Sequence, residues 1–243
     1  FAPSPITVGF LGIFAAKKFN CKSYLWVHDL WPESIKVAGG IKNKLILSLV
    51  NSMTIYIYKK TDKILIQSPK FKNYILDQKV PNKKIMYYPY YAEDFYKKVK
   101  EKKFIKSKFP EGFNFLFAGN IGMAQSFDTI VNAIEKLKKE KINIIVLGDG
   151  RDKKRILELV KLKGLNDKFY FLGTYPPEEM PFYFASADAL LITLRRAQIF
   201  SYTIPSKLQS YLACGKPILG ALDGIGKKII KDADVGFCAS AEN

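Results

Sequence analysis

Residues 113–150 read FNFLFAGNIGMAQSFDTIVNAIEKLKKEKINIIVLGDG. An apolar run, 113–118, ends in the turn Gly119-Asn120-Ile121-Gly122. Helical periodicity follows over 124–139, and a second apolar run, 142–147, closes on Gly148-Asp149-Gly150. Short apolar runs bounded by glycine turns have the pattern of buried strands, and strand, helix, strand in that order is the repeating unit of a parallel sheet.

The alternation continues downstream: helix 151–163, strand 168–172, helix 177–186, strand 188–194, helix 205–213, strand 216–220, helix 225–231. This is the order of a doubly wound α/β sheet. Upstream, apolar runs at 24–27, 63–67 and 84–88 alternate with helical segments near 5–19, 42–60 and 69–77. Between Pro89 and Pro110 the pattern lapses into Tyr-rich, then Lys-rich sequence, which sets a boundary between domains at 1–97 and 98–243. The chain opens on Phe1 and stops at Asn243, just past a short strand, so both ends are read as cut. The apolar stretch 5–16 is shorter than the ~20 residues of a membrane span and is read as a buried helix.

With 48% apolar and 25% charged residues, the 243-residue chain has the composition of a globular protein. Three cysteines, Cys21, Cys214 and Cys238, show neither metal-ligand spacing nor an even count, which points to a reducing cytoplasm. The net charge of +17 attracts a polyanion: nucleic acid, anionic lipid or a phosphorylated substrate. A general bias toward lysine explains it equally well. Nearly all 39 basic residues are Lys, whereas modules that read nucleic acid rely on Arg and exposed aromatics, so nucleic acid is disfavoured.

Open α/β sheets bind ligands at the carboxyl ends of their strands. The Gly119–Gly122 turn fits either a tight turn or a phosphate cradle at a helix start. In Leu147-Gly148-Asp149-Gly150-Arg151-Asp152 the last residue is placed to cap a helix. Tyr175-Pro176-Pro177-Glu178-Glu179 starts another helix, and only its position suggests a base-binding role.

The segment Ile204-Pro205-Ser206-Lys207-Leu208-Gln209-Ser210-Tyr211-Leu212-Ala213-Cys214-Gly215-Lys216-Pro217 resembles the signature of glycosyltransferase family 4, the retaining enzymes of GT-B fold, particularly their bacterial surface-polysaccharide members. The resemblance extends over 113–240. In the first half it rests on Ser4-Pro5, on His28-Asp29-Leu30-Trp31-Pro32-Glu33 and on 68–76. It implies two Rossmann-like domains, the N-terminal acceptor domain incomplete, and a C-terminal domain that holds a nucleotide sugar. It also implies neither metal nor cofactor, so Asp232-Ala233-Asp234 is read as a coincidental match to a metal motif of another fold.

The family's two glutamates, eight positions apart, fall on Tyr202 and Ser210, and its diphosphate-neutralising Arg and Lys fall on Asn120 and Gln125. Lys207, with Arg195 or Arg196, is the natural replacement for the missing charge. The donor site implied by the resemblance comprises Gly119, Asn120, Gly122, Gln125, Gly148, Asp149, Tyr175, Arg195, Tyr202, Pro205, Ser206, Lys207, Leu208 and Ser210. His28, the only histidine, and Asp29 are the catalytic candidates.

The expected activity is retaining transfer of a hexose or N-acetylaminosugar from a uridine-diphosphate donor to a lipid-linked or polysaccharide acceptor. Its expected place is the cytoplasm, on the anionic inner face of the cell membrane. The alternatives are a nucleotide-sugar epimerase of the same fold and a non-catalytic basic module that binds membrane surfaces or nucleic acid.

Overall fold

The computed structural model describes residues 5–37 and 40–243. Ser4, part of the resemblance, lies outside the described residues. In chain order the elements are α1 (Val8–Lys18), β1 (Tyr24–Val27), α2 (Glu33–Val37), α3 (Lys44–Lys60), β2 (Lys63–Ile66), α4 (Phe71–Asp77) and β3 (Ile85–Tyr87). There follow α5 (Lys103–Lys106), β4 (Phe113–Ala118), α6 (Phe127–Lys136), β5 (Ile142–Leu147), α7 (Lys153–Leu162), β6 (Phe169–Gly173), α8 (Met180–Ser186) and β7 (Ala189–Thr193). The chain closes with α9 (Gln198–Tyr202), α10 (Ser206–Cys214), β8 (Ile218–Ala221), α11 (Gly224–Asp232) and β9 (Gly236–Ala239).

Contacts divide the chain into two compact units. One comprises the chain up to Tyr90 together with Ala197–Ile204, and the other comprises Tyr91–Arg196 with Pro205–Asn243. The first unit is built on a parallel sheet of order β1-β2-β3. Leu25, Val27, Ile64 and Ile66 bury against Ile57 and Tyr58 of α3, Phe71 and Ile75 of α4, and Ile199 of α9. At the start of α3, Asn43 Oδ1 accepts from Leu45 N and Ile46 N, two amides that the first helical turn leaves free.

The second unit is a six-stranded parallel sheet of order β6-β5-β4-β7-β8-β9. The order reverses between β4 and β7, the switch point at which such sheets open a crevice for ligands. β7 is buried at every position, as expected of a strand covered by helices on both faces. Phe117, Phe127, Ile130, Val131 and Ile134 form its core with Ile144, Val146, Ile156 and Val160.

The helix expected over 124–139 is broken. A 3₁₀ turn covers Met123–Gln125, Ser126 adopts the left-handed region at φ 45°, and α6 starts only at Phe127. Contacts from β7 and the residues after it hold the break open: Arg195 N donates to Ala124 O at 2.8 Å, and Thr193 Oγ1 donates to Gln125 O. The strand expected over 84–88 is confined to Ile85–Tyr87, because Asn82–Lys84 form a 3₁₀ turn. Among the described residues no helix is long and apolar enough to cross a membrane.

Candidate functional site

The carboxyl ends of β4, β5 and β6 are laced together. Gly119 N donates to Leu147 O at 2.9 Å, Gly148 N to Gly173 O at 2.7 Å, and Ile121 N to Asp149 O at 2.8 Å. The lacing requires glycine. A Cβ on Gly148, whose φ is +132°, would lie 2.0 Å from Gly119 O, and one on Gly150 would lie 2.2 Å from Ile121 O. Asn120 is exposed beside this junction, and Gln125 Oε1 accepts from Gly122 N at 3.2 Å. Asp149 is exposed. Its carboxyl lies below the ordinary range because Gly150 N donates to it at 2.8 Å and Lys153 stands 3.5 Å away.

Asp152 occupies the cap position of α7 but does not cap it: its side chain accepts no backbone hydrogen bond there. Both its oxygens take Arg155 at 2.7 Å, and the same guanidinium grips both oxygens of Asp128 at 2.7 Å. The charge-assisted fork outcompetes the backbone amides for this carboxylate.

Lys207 lies one residue into α10. The residue as a whole is half-buried, yet its Nζ is sealed from solvent and has no hydrogen-bond partner among the described residues. The ammonium rests 3.6 Å from the centroid of the Phe117 ring, and a Cβ on Gly119 would come within 3.2 Å of it. Desolvation lowers its pKa to about 7, with no charged group counteracting it. An unpaired cation in so dry a place is costly, and cation–π contact with one ring offsets only part of the cost. Any side chain at Gly119 would press on the lysine head.

Around it, Pro205 and Leu208 are buried and Ser206 is exposed. Ser210 hydrogen-bonds Tyr96, whose hydroxyl burial raises despite that bond. The Gln209 carboxamide folds back over its own helix, 3.0 Å from Pro205 O and 2.8 Å from Ser206 O. Arg195 pairs with Glu242 at 3.8 Å and Arg196 donates to Ala241 O at 2.8 Å, so both guanidinia are engaged with the end of the chain. Tyr175 takes a hydrogen bond from Lys108 at 3.3 Å and lies tilted against the Tyr183 ring at 4.4 Å. Bonds from Tyr183 and Lys108 hold its phenol below the ordinary value. Tyr202 belongs to the first unit, where its hydroxyl accepts from Gln198 at 2.7 Å.

His28 and Asp29 follow β1 in the first unit. The His28 ring stands edge-on to Trp26 at 4.5 Å and to Tyr90 at 5.0 Å, and its Nε2 is buried without a partner among the described residues. Burial lowers the His28 pKa and raises that of Asp29. Among the described residues, no group of three or more His, Cys, Asp or Glu converges to hold a metal ion.

The residues that the sequence reading missed are Phe117, the platform under Lys207, and Tyr211, whose hydroxyl accepts from Ala118 N at 3.0 Å. Both sit in apolar runs, where nothing sets them apart from core filling. Tyr211 stands within the signature segment and carries the only available hint, a polar tip at a position facing the core.

The model of the family described as glycosyl transferases group 1 matches residues 98–243, more than half of the chain. A protein named as a glycosyltransferase, WbjE of Pseudomonas aeruginosa, is 26% identical over 226 residues, which cover 89% of this chain and 55% of that protein. A protein named for glycosyl transfer in colanic acid biosynthesis, WcaI of Escherichia coli, is 30% identical over 101 residues, 41% of this chain and 24% of its own length. The chain therefore spans about half the length of the first relative and a quarter of the second. The crystal structure of Anabaena HepE in complex with UDP-glucose aligns with a TM-score of 0.76 at 14% identity, covering 98% of this chain and 63% of the other. At that identity the likeness is one of fold, and the fold is the α/β arrangement of GT-B glycosyltransferases.

Replacing Gly148 by Ala should break the lacing of the turns, because the left-handed φ and the collision with Gly119 O act together, at about 1–3 kcal/mol or more. Thermal unfolding should show a Tm several degrees lower than the parent's. An unchanged Tm would mean that the two turns separate freely.

Proposed function

We propose, from the premise that the chain belongs to the glycosyl transferases group 1 family, that it supplies the donor side of a retaining, metal-independent sugar transferase. The donor in this reading is a uridine-diphosphate hexose or N-acetylaminosugar, and the acceptor is lipid-linked or a growing polysaccharide. HepE was crystallised with UDP-glucose, and WcaI carries a polysaccharide-biosynthesis name; both favour this donor and acceptor class.

The observation that carries the reading is the buried, unpartnered Lys207 ammonium beneath the Gly119 turn. A diphosphate placed there completes the ammonium's hydrogen bonding. It also gains a cation at the atoms on which negative charge accumulates as the glycosidic bond breaks. With Asn120 and Gln125 where the family pattern has cations, Lys207 carries most of that neutralisation. The attacking hydroxyl passes its proton toward the departing phosphate. His28 and Asp29, which follow β1 in the first unit, are then the groups available to hydrogen-bond an acceptor hydroxyl.

The acceptor reading places the first unit against an anionic bilayer. α1 and α3 pack together through Gly9 and Ile57, with Phe10 and Tyr56 ring to ring at 6.0 Å. Their outer faces expose Leu11, Phe14, Leu45 and Leu49, each by 66–82%. Lys17, Lys18, Lys44, Lys59 and Lys60 flank these residues, and neither helix contains an acid. Apolar side chains ringed by lysines, without acids, suit the boundary of headgroups and acyl chains.

Lys207→Met keeps the aliphatic stem and removes the charge, so calorimetric titration should find UDP bound roughly 10- to 150-fold more weakly. Uridine, lacking phosphates, should bind variant and parent alike. An unchanged UDP affinity would overturn the assignment of this turn to the diphosphate.

The pH dependence follows from the Lys207 pKa of about 7. Pairing with a diphosphate raises that pKa in the complex, so binding takes up a proton above neutrality. UDP affinity should therefore fall as pH rises from about 7 to 9, by up to about tenfold per unit, and Lys207→Met should flatten the slope. A steep slope retained in the variant would assign the proton elsewhere.

Co-sedimentation with anionic but not neutral vesicles, weakening as salt rises, is expected at about 1 kcal/mol per lysine near the surface. Equal binding to neutral vesicles would contradict the electrostatic part of the reading.

A further inference from the structure

β4 and β7 are neighbours at the switch point, but their pairing covers only Phe115 with Ala189 and Leu116 with Leu190. On the other side, β4 stays paired with β5 through Ala118, and Gly119 N continues to Leu147 O. Amides alternate sides along a strand. The amide of Ala118 thus faces the side on which the β7 ladder has already ended. The partner it finds there is the Tyr211 hydroxyl, at 3.0 Å.

Tyr211 is fully buried on α10, and its ring stands edge-on to Phe184 at 5.1 Å. It lies four residues after Lys207, one turn along the same face of the helix. The two side chains grip three consecutive residues of β4 and its turn: Lys207 covers the Phe117 ring and lies beneath Gly119, and Tyr211 holds Ala118 between them. A phenylalanine would fill the same volume and keep the contact with Phe184. What it would lack is the one atom that ties the helix to the open end of the strand.

We infer that Tyr211 is a positioning residue for the diphosphate subsite: its hydroxyl, wedged where β4 and β7 part, sets the height of the glycine turn above the Lys207 ammonium. The inference rests on the reading of Lys207 as the diphosphate ligand. Tyr211 itself touches no phosphate in this arrangement. It acts by fixing Gly119 and the Phe117 ring relative to α10, and with them the surroundings of the ammonium.

The test is titration of Tyr211→Phe, Lys207→Met and the double variant of the whole chain with UDP and with uridine. Tyr211→Phe should bind UDP about three- to tenfold more weakly, with uridine affinity unchanged. The double variant should bind UDP no more weakly than Lys207→Met alone, since the tyrosine works through the lysine. Three results would each overturn the proposal: parental UDP affinity in Tyr211→Phe beside an impaired Lys207→Met, equal weakening of UDP and uridine, or losses that multiply in the double variant. Parental UDP affinity in Lys207→Met would instead remove the diphosphate reading, and this proposal with it, so the two failures are told apart.

Discussion

An ammonium without a hydrogen-bond partner among the described residues, set over the Phe117 ring and shut off from water, governs the local design of the second unit. To hold it there, α10 must start close to the end of β4, and a side chain must be absent at Gly119. The turn after β4 must also keep its shape with no ligand to support it. That shape comes from the hydrogen bonds to the turns after β5 and β6, which in turn admit only glycine at position 148. The depressed pKa is the electrostatic expression of the same placement, since burial is its sole cause. Mechanical and electrostatic features of the site are thus one arrangement.

The composition and the site tell different stories about charge. An excess of +17 arises mainly from lysines on exposed surfaces, where solvent and salt screen each one. The cation that matters for the donor reading is sealed from water, where salt screens it least. The two arginines that the sequence offered as its helpers are turned toward Glu242 and Ala241.

The doubly wound order was legible because the central strands are mostly apolar, Asn114 and Asn143 aside, and α6, α7 and α11 carry a 3.6-residue stripe, which are local properties of the chain. The glycine turns were legible for the same reason. The break at Ser126 was hidden, since the groups that hold it come from Thr193 and Arg195, some seventy residues away. Asp152 looked like a helix cap until Arg155 and Asp128 entered the competition for its oxygens. At the site, the sequence placed Lys207 at a helix opening, yet its burial depends on Phe117, ninety residues earlier, and no spacing rule links the two. α2, α5 and α9, of four or five residues, are too short to show a period.

The eight residues from Ala197 to Ile204 belong with the first unit, although they follow most of the second in the chain. Ile199 completes the apolar cluster around β1 and β2, with Phe200 and Tyr202 against its margin. On a ribosome, which releases the chain from its N-terminus, that cluster stays open on one side until more than two hundred residues have been joined. By then β4 to β7 have already been synthesised. The unit that begins first therefore cannot close until most of the second has been made, and apolar surface around Ile57 and Ile64 stays exposed to chaperones for much of synthesis.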